Sequence, residues 1–143
     1  YLTLEQKIKW HETWIQYLTI RYSQLALGCH DIVRYLTDEQ IRAVAETKGL
    51  VCPSPMPLGP SNETASLQML LDHIDYMVEL VGAEHVGFGT DLLDQNNGRP
   101  DGMRDISETG NIIKSLQARG HSVEAINQIM GANFIRVFKA VAG

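Results

Sequence analysis

Leu70-Leu71-Asp72-His73-Ile74-Asp75-Tyr76-Met77-Val78-Glu79-Leu80-Val81-Gly82, running through Ala83-Glu84 into His85-Val86-Gly87-Phe88-Gly89-Thr90-Asp91, is the stretch on which the fold turns. Leu67, Leu70, Leu71, Ile74, Met77, Val78 and Val81 fall on one helical stripe, which predicts a helix over Thr64–Val81. Asn62 or Thr64 is expected to cap its start and Gly82 its end. The segment that follows is short and reads as a strand near Val86–Thr90, whose glycines let another backbone or a ligand come close. Asp91 stands at the end of that strand. A polar loop, Asp94–Asp101, then carries Asn96-Asn97-Gly98 and Pro100.

The same order stands upstream. Thr37-Asp38-Glu39 has the acids of a first helical turn, so a helix is expected near Asp38–Lys48, with Ile41, Val44 and Ala45 as its apolar face and Gly49 at its end. Leu50–Cys52 reads as a short buried strand. Pro53–Pro60 holds four prolines and one glycine and must be a loop. Downstream, Ile112, Ile113 and Leu116 mark a helix ending at Gly120. Ser122 caps another, with Val123, Ile126 and Met130 inward, and Gly131 breaks it before Phe134, Val137, Phe138 and Val141. In the first 36 residues a helix is expected over Glu12–Ile20 and a strand near Leu25–Cys29. Alternation of this kind argues for an α/β fold with a parallel sheet built from βα units. Working residues in such sheets sit at the C-terminal strand ends, which directs attention to His30, the Pro53 loop and Asp91.

Composition narrows the function. The chain has 143 residues, 44% of them hydrophobic, enough for one compact core. A formal net charge of −5, with Lys and Arg scattered, argues against a nucleic-acid face. Cys29 and Cys52 make neither a disulfide framework nor a CxxC metal pair and read as ordinary semi-buried thiols. No apolar run reaches the roughly 18 residues a membrane span needs. No signal peptide is visible, and the start at Tyr1 without a Met points to a processed or truncated beginning.

Among residues that can carry chemistry, Asp91 leads: a carboxylate at a strand end can ligate a metal or move a proton. The alternative is an Asp that caps the loop or pairs with Arg99 or Arg104. His30, after the expected strand and beside Asp31, suits zinc ligation; the alternative is a loop histidine. His11 has the same ambiguity in a weaker context. His73 is expected to be surface or structural, His85 structural at the bottom of its strand, and His121 solvent-facing. Arg34 can grip a carboxylate bidentately or pair with Asp38. Trp10 and Trp14 are expected in the core.

Three segments together resemble the renal (membrane) dipeptidase family of zinc metallopeptidases. They are Arg34-Tyr35-Leu36-Thr37-Asp38-Glu39-Gln40-Ile41-Arg42-Ala43-Val44-Ala45, the Leu70–Asp91 stretch, and Gly102-Met103-Arg104-Asp105-Ile106-Ser107 leading to Gly131-Ala132-Asn133-Phe134-Ile135-Arg136-Val137-Phe138. The resemblance covers roughly 34–141. It implies a metal-dependent (β/α)8 TIM-type barrel with two zinc ions at its top, hydrolysing dipeptides, including ones with a D-residue on the C-terminal side. It implies that Asp91 handles the proton of the catalytic water or leaving amine and that Arg34 grips the substrate carboxylate. The family has a histidine ligand before that arginine. Aligned without gaps this position is Ser23, which cannot ligate; with a shortened loop it becomes His30, the preferred reading, with His11 near the preceding ligand. Tyr35 replaces the family's usual Asn. The family's His-x-Asp pair and bridging glutamate have no counterpart here.

The expectation is therefore a single partial domain over 1–143, about three βα units from the C-terminal section of such a barrel. The other strands would come from the rest of the barrel or a second chain, with a homo-oligomer open and a small peptide as substrate. Two rivals stay open: a non-catalytic scaffold lacking a complete zinc site, and a related barrel amidohydrolase acting on another amide.

Overall fold

A computed structural model describes residues 36–54, 66–89 and 101–142 of the chain. The expected helix over Glu12–Ile20, the strand near Leu25–Cys29, most of the Pro53–Pro60 loop, and residues Trp10, Trp14, Cys29 and Arg99 lie outside them.

Helix α1 spans Asp38–Glu46. Thr37 starts it with a reciprocal cap: its hydroxyl accepts from the Gln40 amide at 3.3 Å, and the Gln40 side-chain oxygen accepts from the Thr37 amide at 2.9 Å. The helix ends earlier than Gly49. Lys48, at φ 59°, takes the left-handed turn, and Gly49 serves close approach instead, since a Cβ there would lie 2.9 Å from the Val44 carbonyl.

Helix α2 spans Leu67–Val81. Its cap is Ser66, whose hydroxyl accepts from the Met69 amide at 3.2 Å, and not Asn62 or Thr64. The apolar stripe begins at Leu67, where the helix begins; the expected start at Thr64 lies three residues early because it rests on the choice of capping hydroxyl. Gly82 closes the helix at φ 87°, as its position predicts. Leu70, Leu71, Ile74 and Met77 are fully buried.

A single 3-10 turn, Ala83–His85, leads into the extended segment 86–89. Val86 pairs in parallel with Val51. The ladder is carried by Val51 N–H to His85 O (2.9 Å), Gly87 N–H to Val51 O (2.8 Å) and Gly89 N–H to Pro53 O (3.1 Å). This is the parallel arrangement the sequence predicts for the two segments, here a short bridge rather than long strands. Side chains alternate across it. Val51, Val86 and Phe88 join the core formed with Ile41, Leu70, Ile74 and Met77, while Leu50 and Cys52 turn the other way and meet Val137.

The remaining elements close over the helical face. Met103 is fully buried beside α3, Gly110–Ala118, which buries Ile112 and Leu116. Ser122 caps α4, Val123–Asn127, accepting from the Ala125 amide at 3.1 Å. Val123, expected inward, is 69% exposed. It is the first residue of a short helix, and the buried positions are Ile126 and Ile129. Gly131, at φ 157°, breaks the run before α5, Asn133–Ala142.

Two side chains of α5 tie it to the start of both extended segments. The buried Asn133 amide donates to Ala83 O (2.7 Å) and Val86 O (2.9 Å). The Arg136 guanidinium donates to Lys48 O and Glu84 O, both at 2.8 Å. A planar fork suits this task, because it fixes two carbonyls from two different connections at once.

Candidate functional site

Parallel pairing sets the ends of the two segments at opposite poles. Lys48, Gly49 and Ala83–His85 form the bottom pole; Pro53, Ser54 and Gly89 form the top. Everything pinned by α5 lies at the bottom. His85 belongs there too, with Nδ1 3.1 Å from the Gly49 carbonyl. A carbonyl can only accept, so Nδ1 is the protonated nitrogen. The expected structural role of His85 holds.

The other described histidines are committed away from the top pole. His73 is fully buried within α2, so it is structural and not a surface residue. His121 corrects the expectation of a solvent-facing turn: its side chain is 12% exposed and its Nε2 lies 2.6 Å from Asp75 Oδ1. Arg119 bridges Asp75 and Asp72, the latter at 2.7 Å. Burial works against the Arg119 charge, but hydrogen bonds to Asp75 and then Asp72 outweigh it and raise its pKa. These partners are 44 to 47 residues apart in sequence, which is why local reading missed the cluster.

Of the alternatives for charged residues, Asp38 accepts from the Tyr76 hydroxyl at 2.7 Å and Arg104 pairs with Asp101 at 3.7 Å across an exposed turn. Such an exposed pair contributes little to stability. A groove of about 360 Å³ between α1 and α2 is lined by Arg42, Tyr76, Glu79 and Leu80.

At the top, the described backbone stops at Gly89, two residues short of Asp91. Asp91, Arg34, His30, His11 and Ser23 all lie outside the described residues. Among the described residues no group of three or more His, Cys, Asp or Glu side chains can hold a metal.

Cys52 sits just below the top on the face away from α1 and α2, in the cluster with Leu50 and Val137 of α5. Burial pushes its thiol from the ordinary 9.0 up to about 12. A neutral buried thiol is a packing group, not a nucleophile. The raised pKa sets a pH dependence. Below pH 9 both folded and unfolded states keep the proton and the contribution is fully present; above it only the unfolded state releases the proton. Stability is then expected to fall by about 1.4 kcal/mol per pH unit from this group as pH rises from 9 toward 12. Urea denaturation of wild type and Cys52→Ala across that range checks this. Equal slopes for the two proteins would refute it.

Comparison with known proteins adds what the geometry leaves open. The sequence model of the membrane dipeptidase family (Peptidase family M19) matches residues 23–143. Dipeptidase aclJ of Aspergillus oryzae is 34% identical over 107 residues, 73% of this chain and 25% of that protein. An uncharacterized dipeptidase of Schizosaccharomyces pombe is 31% identical over 117 residues, 80% of this chain and 28% of its own length. The chain thus spans about a quarter of the length of the curated relatives it matches. The probable dipeptidase PvdM of Pseudomonas aeruginosa superposes with a TM-score of 0.73 at 23% identity, over 82% of this chain and 43% of that one. A metallo peptidase of Rhodobacter sphaeroides, liganded with a phosphinate mimic of the dipeptide L-Ala-D-Ala, superposes at 0.71 and 21% identity, over 81% and 34% of the two chains. These neighbours share a TIM-barrel-like fold over the aligned part. No helix among the described residues is long and apolar enough to cross a membrane.

Proposed function

We propose, on the premise that the chain belongs to the membrane dipeptidase family, that it is the C-terminal section of a (β/α)8 barrel whose complete form hydrolyses dipeptides with a bound metal. Residues 1–143 act as one partial domain of about three βα units, and the remaining strands come from the rest of the barrel or from a second chain. The observation that carries this is the parallel pairing of 51–53 with 86–89, backed by α1 and α2, which gives both segments a common top edge. Barrels of this kind work at that edge.

Asp91, two residues past Gly89, moves a proton between the attacking water and the leaving amine. Arg34 holds the substrate's free carboxylate through two parallel hydrogen bonds. His30, with His11, contributes to holding zinc, which when bound lowers the pKa of a water molecule. The substrate is a dipeptide, including those with a D-residue on the C-terminal side.

The test is metal content per chain together with dipeptide hydrolysis in the complete enzyme carrying this sequence. Chelation is expected to abolish cleavage of L-Ala-D-Ala and added zinc to restore it. A protein that binds no metal and cleaves no dipeptide is a scaffold, and cleavage of another amide alone makes it a different barrel amidohydrolase.

A further inference from the structure

Gly87 and Gly89 lie on the same face of one extended segment, yet only one of them is explained by packing. Gly87 is buried, and a Cβ there would lie 2.6 Å from Cys52 Sγ and 3.2 Å from a Leu50 methyl. The core leaves no room for a side chain. Gly89 is different. Among the described residues, a Cβ there would meet nothing closer than Cys52 Cβ and O at 3.7 Å and Pro53 O at 3.8 Å, ordinary contact distances. Its φ lies outside the left-handed region, so alanine fits the conformation. Its one ladder hydrogen bond, to Pro53 O, uses the amide that alanine keeps. Glycine in an extended segment carries an entropic cost, and nothing described in the fold requires it here.

The position supplies a reason. Val51 stands opposite Val86, so the parallel register sets Ser54 opposite Gly89. Ser54 is a polar residue only 4% exposed. Both fall on the face turned from α1 and α2, at the top pole, with Gly89 half-buried and two residues before Asp91. A missing side chain at a half-open strand end is where another backbone can approach.

We infer that Gly89 is a specificity-determining position: the space over its Cα, bordered by Ser54, receives the substrate backbone at the scissile amide. This rests on the dipeptidase reading and deepens it. The recognised group is a peptide main chain lying flat against the strand end. A methyl at Gly89 displaces that main chain by a distance on the order of its own radius, and misplacement by about 1 Å costs about 10²-fold in rate.

The two glycines should therefore respond in opposite ways in the complete enzyme. Gly89→Ala is expected to keep the metal content and keep or raise the Tm, since alanine reduces the freedom of the unfolded chain. At the same time kcat/KM for dipeptides should fall about 10²-fold, with a parallel loss of affinity for a phosphinate dipeptide mimic. Gly87→Ala is expected to lower the Tm. The inference is overturned if Gly89→Ala leaves kcat/KM and mimic affinity at wild-type values, or if it lowers the Tm as much as Gly87→Ala does. An active wild type with an unaffected Gly89→Ala removes this inference alone. A wild type that neither cleaves dipeptides nor binds the mimic removes the dipeptidase reading and this inference with it.

Discussion

Asp91→Asn is expected to lower kcat for dipeptides by about 10² to 10⁴-fold in the complete enzyme, while KM changes little. Asn has nearly the shape of Asp but cannot take a proton from water or return one to the leaving amine. The loss therefore falls on the step in which charge moves. Arg34→Ala should show the other pattern, a raised KM for dipeptides and no penalty for a substrate whose C-terminal carboxylate is blocked, because that contact never forms. Steady-state kinetics with free and blocked dipeptides separate the two. If both variants retain wild-type kinetics with metal bound, Asp91 and Arg34 do not have these roles.

The second large effect is on stability. Asn133 is 3% exposed and satisfies the Ala83 and Val86 carbonyls with one amide. Asn133→Leu removes both donors: Val86 O loses its buried donor, while Ala83 O keeps the Val86 amide at 3.3 Å. At about 1–3 kcal/mol for one unsatisfied buried group, a loss of about 1–3 kcal/mol is expected. Arg136→Ala should cost less, because its acceptors, Lys48 O and Glu84 O, lie at the exposed rim where water can replace the guanidinium. Urea denaturation midpoints order the variants. An Asn133→Leu protein as stable as wild type would mean that water fills the gap.

How much of this is legible in the sequence follows from the range of each interaction. The α2 stripe, the Gly82 cap, the Thr37 start and the Ser122 cap are set within one or two turns of chain, and the pattern shows them. The parallel pairing of Val51 with Val86 was reachable because helix and strand alternate. Boundaries were less so: Ser66 rather than Thr64 starts α2, since an apolar stripe cannot say which hydroxyl turns inward. The His121–Asp75–Arg119 cluster and the Asn133 and Arg136 contacts join residues dozens of positions apart, and no local spacing encodes them. The Gly131–Phe138 motif drew attention through its family resemblance. Its physical meaning, a bottom-pole tie, appears only in the folded chain. For the top pole the sequence reading went further than the described residues do, because Asp91, Arg34, His30 and His11 all lie beyond them.

The tie made by α5 also orders events in time. Asn133 reaches back 50 and 47 residues, and Arg136 reaches back 88 and 52. During synthesis the two extended segments and α2 between them emerge before the side chains that fasten them. At about 5–20 residues per second, the stretch from Lys48 to Arg136 takes about 4 to 18 seconds to make. Over that interval the side chains that fasten the base of the parallel pair, Asn133 and Arg136, are not yet available to it.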